Sequence, residues 1–229
     1  MDRFVSVVMP AYNEEKNIAD AVKDVRDALN RSGWKHEIIV VDDGSRDGTA
    51  EAASKLDVKL LGNEVNMGKG AATRKGIRAA RGDYIAIQDS DLTIPADTIP
   101  TMLEKLEREG WDAVYASRLA GTYEKDAMPY YRVFGNRVFA FILRLMTGQK
   151  LSDTLSGQKV FKSRIFSGME LVENGWPDFE ILMKSARLGF RTGEVPVKYF
   201  KRREGSSKMR VLNHGFWFCT QLLKWYVRA

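Results

Sequence analysis

The chain has little of what usually announces a chemistry. One residue is cysteine, Cys219, so no disulfide can close within these 229 residues, which fits a reducing compartment. The two histidines, His36 and His214, stand far apart, and with a single thiol they leave no set for a zinc site. No apolar run reaches the roughly 18 residues a membrane-crossing helix needs. The first residues read as a strand, Phe4–Met9, and not as a charged and apolar leader. No Gly-x-Gly-x-x-Gly follows that strand and no Gly-Lys-Ser/Thr marks a Walker loop, which argues against dinucleotide and P-loop sites. Internal repeats and low-complexity segments are missing as well.

What is present is ordinary in bulk and informative in position. Hydrophobic residues at 44% and charged residues at 29% describe a globular chain with a substantial core. The excess of 36 Lys+Arg over 30 Asp+Glu gathers at Lys201, Arg202, Arg203, Lys208 and Arg210. Such a run suits a solvated face, a nucleic acid or an anionic lipid. Aromatics are not interleaved with it beyond Tyr199 and Phe200, so no nucleic-acid partner is expected.

Strands and helices alternate through the first half. Phe4–Met9 is followed by a helix whose stripe is Ile18, Ala21, Val22, Val25, Ala28 and Leu29. Strands follow at Ile38–Val41, Val58–Leu61, Tyr84–Gln88 and Ala113–Ala116, with helices over Gly68–Ala80 and from Pro95 to Leu106. This order predicts an α/β fold with a mostly parallel sheet flanked by helices. After Leu119 the rhythm changes, with helices over 130–146 and 177–188, sheet residues at 156–161 and 193–200, and a terminal helix over 213–228.

In a parallel sheet the carboxyl ends of the strands share one edge, so distant segments converge there. Four such ends carry polar residues: Tyr12-Asn13-Glu14, Asp42-Asp43-Gly44-Ser45, Asn66-Met67-Gly68-Lys69-Gly70 and Asp89-Ser90-Asp91. Asp89 and Asp91 would repel unless a cation stood between them, and a divalent ion carried by a ligand's phosphates suits the place. Taken alone, an Asp-x-Asp is equally a solvated turn. Asp43 is placed to meet a base or ribose, and Gly68 and Gly70 would let backbone approach a ligand at a helix start.

With these motifs the chain resembles glycosyltransferase family 2 and its GT-A fold. The resemblance rests on Val5 to Glu14, on Val40 to Ser45, and on Asp89-Ser90-Asp91. Ala116-Ser117-Arg118, Asp153 to Gly157, and Arg202 with Gly205, Ser207 and Lys208 narrow it to the dolichol-phosphate mannose and glucose synthases. It implies that Pro10, Tyr12, Glu14, Asp43 and Lys69 hold the nucleotide, and that Asp89 and Asp91 hold Mg2+ or Mn2+ with the diphosphate. Arg118, Arg132 and Lys208 would meet phosphates and Arg202 the lipid phosphate, the catalytic set with Asp89 and Asp91. Thr93 stands where many mannosyl synthases have Gln, and Gln158-Lys159 follow Gly157 where Phe-Arg is common.

The implied reaction is a metal-dependent, inverting transfer of mannose or glucose, from GDP-mannose or UDP-glucose, to a polyprenyl (dolichyl) phosphate. Residues 1–229 would form one catalytic domain. Within it, 1–118 would hold the donor, and 119–229 the acceptor, with the basic loop 201–210 as a cover. The aromatic helices 130–146 and 213–228 suit peripheral attachment at the cytoplasmic face of a membrane. Three alternatives stay open. A sugar-hydroxyl acceptor would need a base, for which Asp153 and Asp178 are the candidates. A sugar nucleotidyltransferase would want a glycine-rich basic signature after the first strand, and a non-catalytic nucleotide-sugar or membrane module would not need these acids and cations.

Overall fold

Strand β1 (Phe4–Ala11) shows why the sheet is buried on both faces. Its residues alternate between two cores: Val5, Val7 and Met9 point to one and Val8 to the other. Such a strand has no solvent face, so it reads as a continuous apolar run. The computed structural model describes residues 4–202 together with Thr220. Lys208, the loop beyond Arg202 and the helix expected over 213–228 lie outside the described residues.

Between the strands run α1 (Ile18–Ser32), β2 (Lys35–Asp42), α2 (Thr49–Ser54), β3 (Lys59–Gly62), α3 (Lys69–Ala79) and β4 (Tyr84–Ile87). Then come α4 (Thr98–Arg108), β5 (Ala113–Tyr123), α5 (Tyr130–Thr147), β6 (Lys159–Lys162), a 3-10 turn at Ser163–Gly168, α6 (Pro177–Arg187) and β7 (Thr192–Tyr199). The stripe expected on α1 is the stripe it buries, and Gly33, at φ 71°, ends the helix in the left-handed region. Helices α1 and α4 cover the Val7 face, while α5 and α6 cover the Val8 face.

The seven strands lie in the order β3-β2-β1-β4-β6-β5-β7. All neighbours are parallel except β6, which runs antiparallel to both β4 and β5. Strand β5 continues to Tyr123, well past the expected Ala116, because β7 pairs beside it through a bulge between Ser117 and Thr122. Helix α4 begins at Thr98, three residues after Pro95, whose carbonyl accepts from the Gln158 side chain. The reversal of β6 matters for the site. Its register sets Lys159 opposite Ile87, so the residues just before β6 arrive beside the acids just after β4.

Candidate active site

The segment after β4 is held from three sides. The Gln88 amide donates to Val8 O at 3.0 Å, and the Ser90 hydroxyl donates to Pro10 O at 3.2 Å, tying the acids to the end of β1. Leu92 sits at φ 59°, a region a bulky side chain rarely adopts and one that clusters at functional turns. Thr93 donates to Asp91 Oδ1 from its backbone at 3.2 Å and from its hydroxyl at 2.8 Å, orienting that carboxylate. Beneath lies a buried amide pair. Gln158 Nε2 donates to Gln88 Oε1 at 2.7 Å and to Pro95 O at 3.0 Å; Gln88 Nε2 donates to Asp89 O at 3.1 Å and Ile94 O at 3.2 Å. All four amide protons are used, so the turn is clipped at both ends. Gly157 backs Asp89 so closely that a Cβ there would stand 1.9 Å from Oδ2.

The acids open on a cavity of about 460 Å³. Two cations already reach them. Lys69 Nζ lies 2.6 Å from Asp89 Oδ1, while Arg202 bridges Glu14 and Asp91, its Nη1 3.6 Å from Asp91 Oδ2. Burial pushes the Asp89 carboxyl up, the Asp91 charge adds to that, and the Lys69 ammonium opposes it. Burial works against the charge on Lys69, but Asp89, Asp178 and Asp91 together hold its pKa above the ordinary lysine value. The pocket thus stabilises positive charge, and its hard oxygen donors fit Mg2+ or Mn2+. Among the described residues no third acid or histidine joins Asp89 and Asp91 in a cluster, so diphosphate oxygens and water would complete the shell.

Pro10, Tyr12, Glu14 and Asp43 line the same cavity. Asp43 is engaged more deeply than its motif suggests: it accepts from Asn63 Nδ2 at 2.8 Å, Met67 N at 3.0 Å and Gly68 N at 2.8 Å. It therefore fixes the loop that leads into α3. The two glycines of that loop differ from expectation. A Cβ on Gly68 would lie 2.4 Å from Asn174 O and one on Gly70 2.3 Å from Glu173 O, so what approaches closely is the chain itself. The amides of Gly70 and Ala71 donate to Asn174 O at 2.7 and 3.2 Å, which takes two of the amides at the α3 start that would otherwise be open to an anion.

On the other side Arg118 and Arg132 line the cavity, whereas Arg137 and Arg144 of α5 are exposed. The two candidate bases are elsewhere. Asp153 is fully buried and grips Arg118 through two bonds, Oδ2 to Nε at 2.6 Å and Oδ1 to Nη2 at 2.9 Å. Burial works against the Arg118 charge, yet the Asp153 carboxylate beside it holds its pKa above the ordinary arginine value. Asp178 is buried against Lys159 at 2.5 Å. Neither acid lines the cavity, so neither is placed as a base. An Asp153→Asn change would break a buried ion pair and is no clean probe of the acceptor.

The sequence set Gly157 in a family motif and Gln158-Lys159 as a departure from it, but gave neither these residues nor Gln88 a role at the site, since each works through a contact made only in the fold. Lys159 is wholly buried, and its ring neighbour Tyr115 lies 5.6 Å away. Burial pushes the Lys159 ammonium down, with Asp178 opposing. Lys159→Met is expected to cost about 3–5 kcal/mol by leaving Asp178 buried and alone. Lys159→Met with Asp178→Leu should regain much of that in urea unfolding.

A family model described as glycosyl transferase family 2 matches residues 6–169. "Glycosyltransferase AglJ" of Haloferax volcanii is 32% identical over 204 residues, 88% of this chain and 65% of that protein. The dolichol-phosphate mannosyltransferase of Pyrococcus furiosus is 31% identical over 214 residues, 90% of this chain and 59% of that one. The dolichyl-phosphate hexose transferase of Haloferax volcanii is 30% identical over 205 residues, 90% of this chain and 86% of that one. The chain thus spans under two thirds of the first two. A crystal structure of glucosyl-3-phosphoglycerate synthase from Mycobacterium tuberculosis with Mg2+ and UDP superposes with TM-score 0.70 at 25% identity, over 96% of this chain and 77% of that one. The same enzyme with Mn2+, UDP and glucosyl-3-phosphoglycerate gives 0.72 at 24% identity, over 96% and 77%.

Proposed function

The chain belongs to glycosyl transferase family 2, and from that premise we propose that it transfers mannose or glucose from a nucleotide-sugar to a polyprenyl (dolichyl) phosphate. One observation carries the choice of acceptor. Among the described residues each carboxylate lining the cavity, and each candidate base outside it, already has a partner: Asp153 and Asp178 sit in buried ion pairs, and Glu14 holds Arg202 and Asn17. Asp43 is held by amides, Asp89 by Lys69, and Asp91 by Thr93 and Arg202. A sugar hydroxyl would have to lose its proton to a base. A lipid monophosphate needs none, because its second pKa of about 6 leaves it ionised at neutral pH. The names borne by two relatives, a dolichol-phosphate mannosyltransferase and a dolichyl-phosphate hexose transferase, support the same acceptor.

In this reading residues 1–118 hold the donor, with Tyr12, Asp43 and Lys69 around the nucleotide. The acceptor phosphate meets Arg118, Arg132 and Arg202, joined by Lys208 from outside the described residues. An acceptor oxygen forms the new bond to the anomeric carbon as the bond to the diphosphate breaks, inverting configuration. Asp89 and Asp91 would hold Mg2+ or Mn2+, whose charge supplies stabilisation for the leaving diphosphate. The Mg2+ and Mn2+ complexes of the structural neighbour lend support to a divalent ion. The test is transfer of labelled sugar to polyprenyl phosphate from GDP-mannose and from UDP-glucose, with and without EDTA. Product from one donor, lost in EDTA, is expected; EDTA-resistant transfer would overturn the metal assignment.

No helix among the described residues is long and apolar enough to cross a membrane. Helix α5 nevertheless exposes Tyr130 at 83%, Phe134 at 61%, Phe141 at 60% and Leu145 at 70%, an apolar stripe suited to lying among headgroups. We place this face on the cytoplasmic surface of the membrane that carries the acceptor. Phe134→Asp with Phe141→Asp should abolish flotation with anionic liposomes and leave thermal unfolding unchanged. Undiminished flotation would remove α5 from the contact.

A further inference from the structure

Lys69, the counter-ion of Asp89, differs in its setting from the cations around it. Lys69 is the first residue of α3, and its backbone is fixed by the Asp43 bonds to Met67 N and Gly68 N. Its side chain is a flexible stem, still 23% exposed and facing the cavity, with Nζ 2.6 Å from Asp89 Oδ1. The neighbouring cations are committed. Lys159 binds Ser156 O and Asp178, Arg74 binds Glu173 O and Asn174 Oδ1, and Lys75 binds Gly62 O and Asn63 Oδ1. The helix amides beside Lys69 are committed too, to Asn174 O. At this end of α3 the Gly68, Gly70 and Ala71 amides are already taken, and the Lys69 side chain is the cationic group a diphosphate meets there.

Resting on the assignment of Asp89 and Asp91 to a divalent cation, we propose that Lys69 is an exchangeable counter-ion. It neutralises Asp89 in the metal-free protein, leaves it when a divalent cation binds, and then pairs with the donor's diphosphate. Like charges force the exchange. A dication on Asp89 and an ammonium within hydrogen-bond reach of the same carboxylate would repel, and the lysine is the partner free to move. One residue thereby keeps the acids from facing each other unpaired before the donor arrives and supplies fixed positive charge afterwards.

The proposal requires effects of opposite sign from one substitution. Lys69→Met should bind Mn2+ about tenfold more tightly in the absence of nucleotide, because no internal cation competes, and bind GDP or UDP about tenfold more weakly in saturating Mn2+. Lys69→Arg, which keeps the charge, should stay within about threefold of the native Mn2+ affinity. Free Mn2+ is read by electron paramagnetic resonance and nucleotide binding by calorimetry. Unchanged or weaker Mn2+ binding in Lys69→Met would overturn the exchange. The native protein gives a second reading that needs no variant: acylation of the Lys69 amine, followed by peptide mass spectrometry. Mn2+ alone should raise labelling at Lys69 and Mn2+ with UDP or GDP should suppress it; labelling indifferent to Mn2+ would overturn the proposal. Asp91→Ala separates the two levels. If it binds Mn2+ as the native protein does, the metal assignment itself fails; if it loses Mn2+ while Lys69 stays unresponsive in the native protein, only the exchange fails.

Discussion

Asp91→Ala is expected to fold normally and to lower sugar transfer by about a hundredfold to a thousandfold, the loss typical of removing one fixed group that stabilises transition-state charge. The stability cost is small because Asp91 is not a structural anchor. Its Oδ1 serves Thr93 within the same turn, and Arg202 keeps Glu14 when Asp91 is gone. The loss is therefore one of function: two local bonds from Thr93 and a long contact with Arg202 go with the side chain, at a folding cost of about 1–3 kcal/mol. The variant should still unfold cooperatively with its melting temperature lowered by no more than about 10 °C, lose Mn2+ binding, and show residual activity that EDTA no longer alters. Full turnover in Asp91→Ala with metal chelated would refute the role given to the acids.

Gly157→Ala is expected to mimic the loss of Asp89 without touching it. The added methyl would stand 1.9 Å from Asp89 Oδ2 and 2.4 Å from its Cγ. Backbone cannot retreat, because β6 is registered against β4 with Lys159 opposite Ile87 and the Gln158–Gln88 pair clips the same segment. The carboxylate can rotate, so it moves and the fold survives. Mn2+ affinity and turnover should each fall by about a hundredfold, comparable to deleting a charge-stabilising group. Gly168→Ala, where nothing lies within 4 Å of the added carbon, should behave as the native protein. If Gly157→Ala bound Mn2+ normally, the wall behind Asp89 would not be what positions it.

The convergence of Tyr12, Glu14, Asp43, Asp89 and Asp91 was legible because parallel strands present their carboxyl ends at one edge, and the strands themselves were visible as apolar runs. The α1 stripe was legible for an equally local reason, its period. The direction of β6 was not. Residues 159–162 look the same whether they pair parallel or antiparallel, and the choice brings Gly157 to Asp89. The task of a glycine is equally hidden: Gly68 and Gly70 make room for Glu173 and Asn174, about a hundred residues on, while Gly68 also lines the cavity. Asp153 and Asp178 looked like bases because an acid's partner is invisible in sequence. Their partners, Arg118 and Lys159, lie on other elements and hold them away from the cavity.

The choice between an ionised phosphate and a hydroxyl as nucleophile is tested most directly by two acceptors that share one tail. The protein is given the labelled donor with polyprenyl phosphate, or with the corresponding polyprenol, under identical detergent and metal. With every described carboxylate at the site engaged, transfer is expected to the phosphate alone, giving a product cleaved by mild acid. Comparable transfer to the polyprenol would mean that a base operates in this site, and would contradict the assignment of the acceptor.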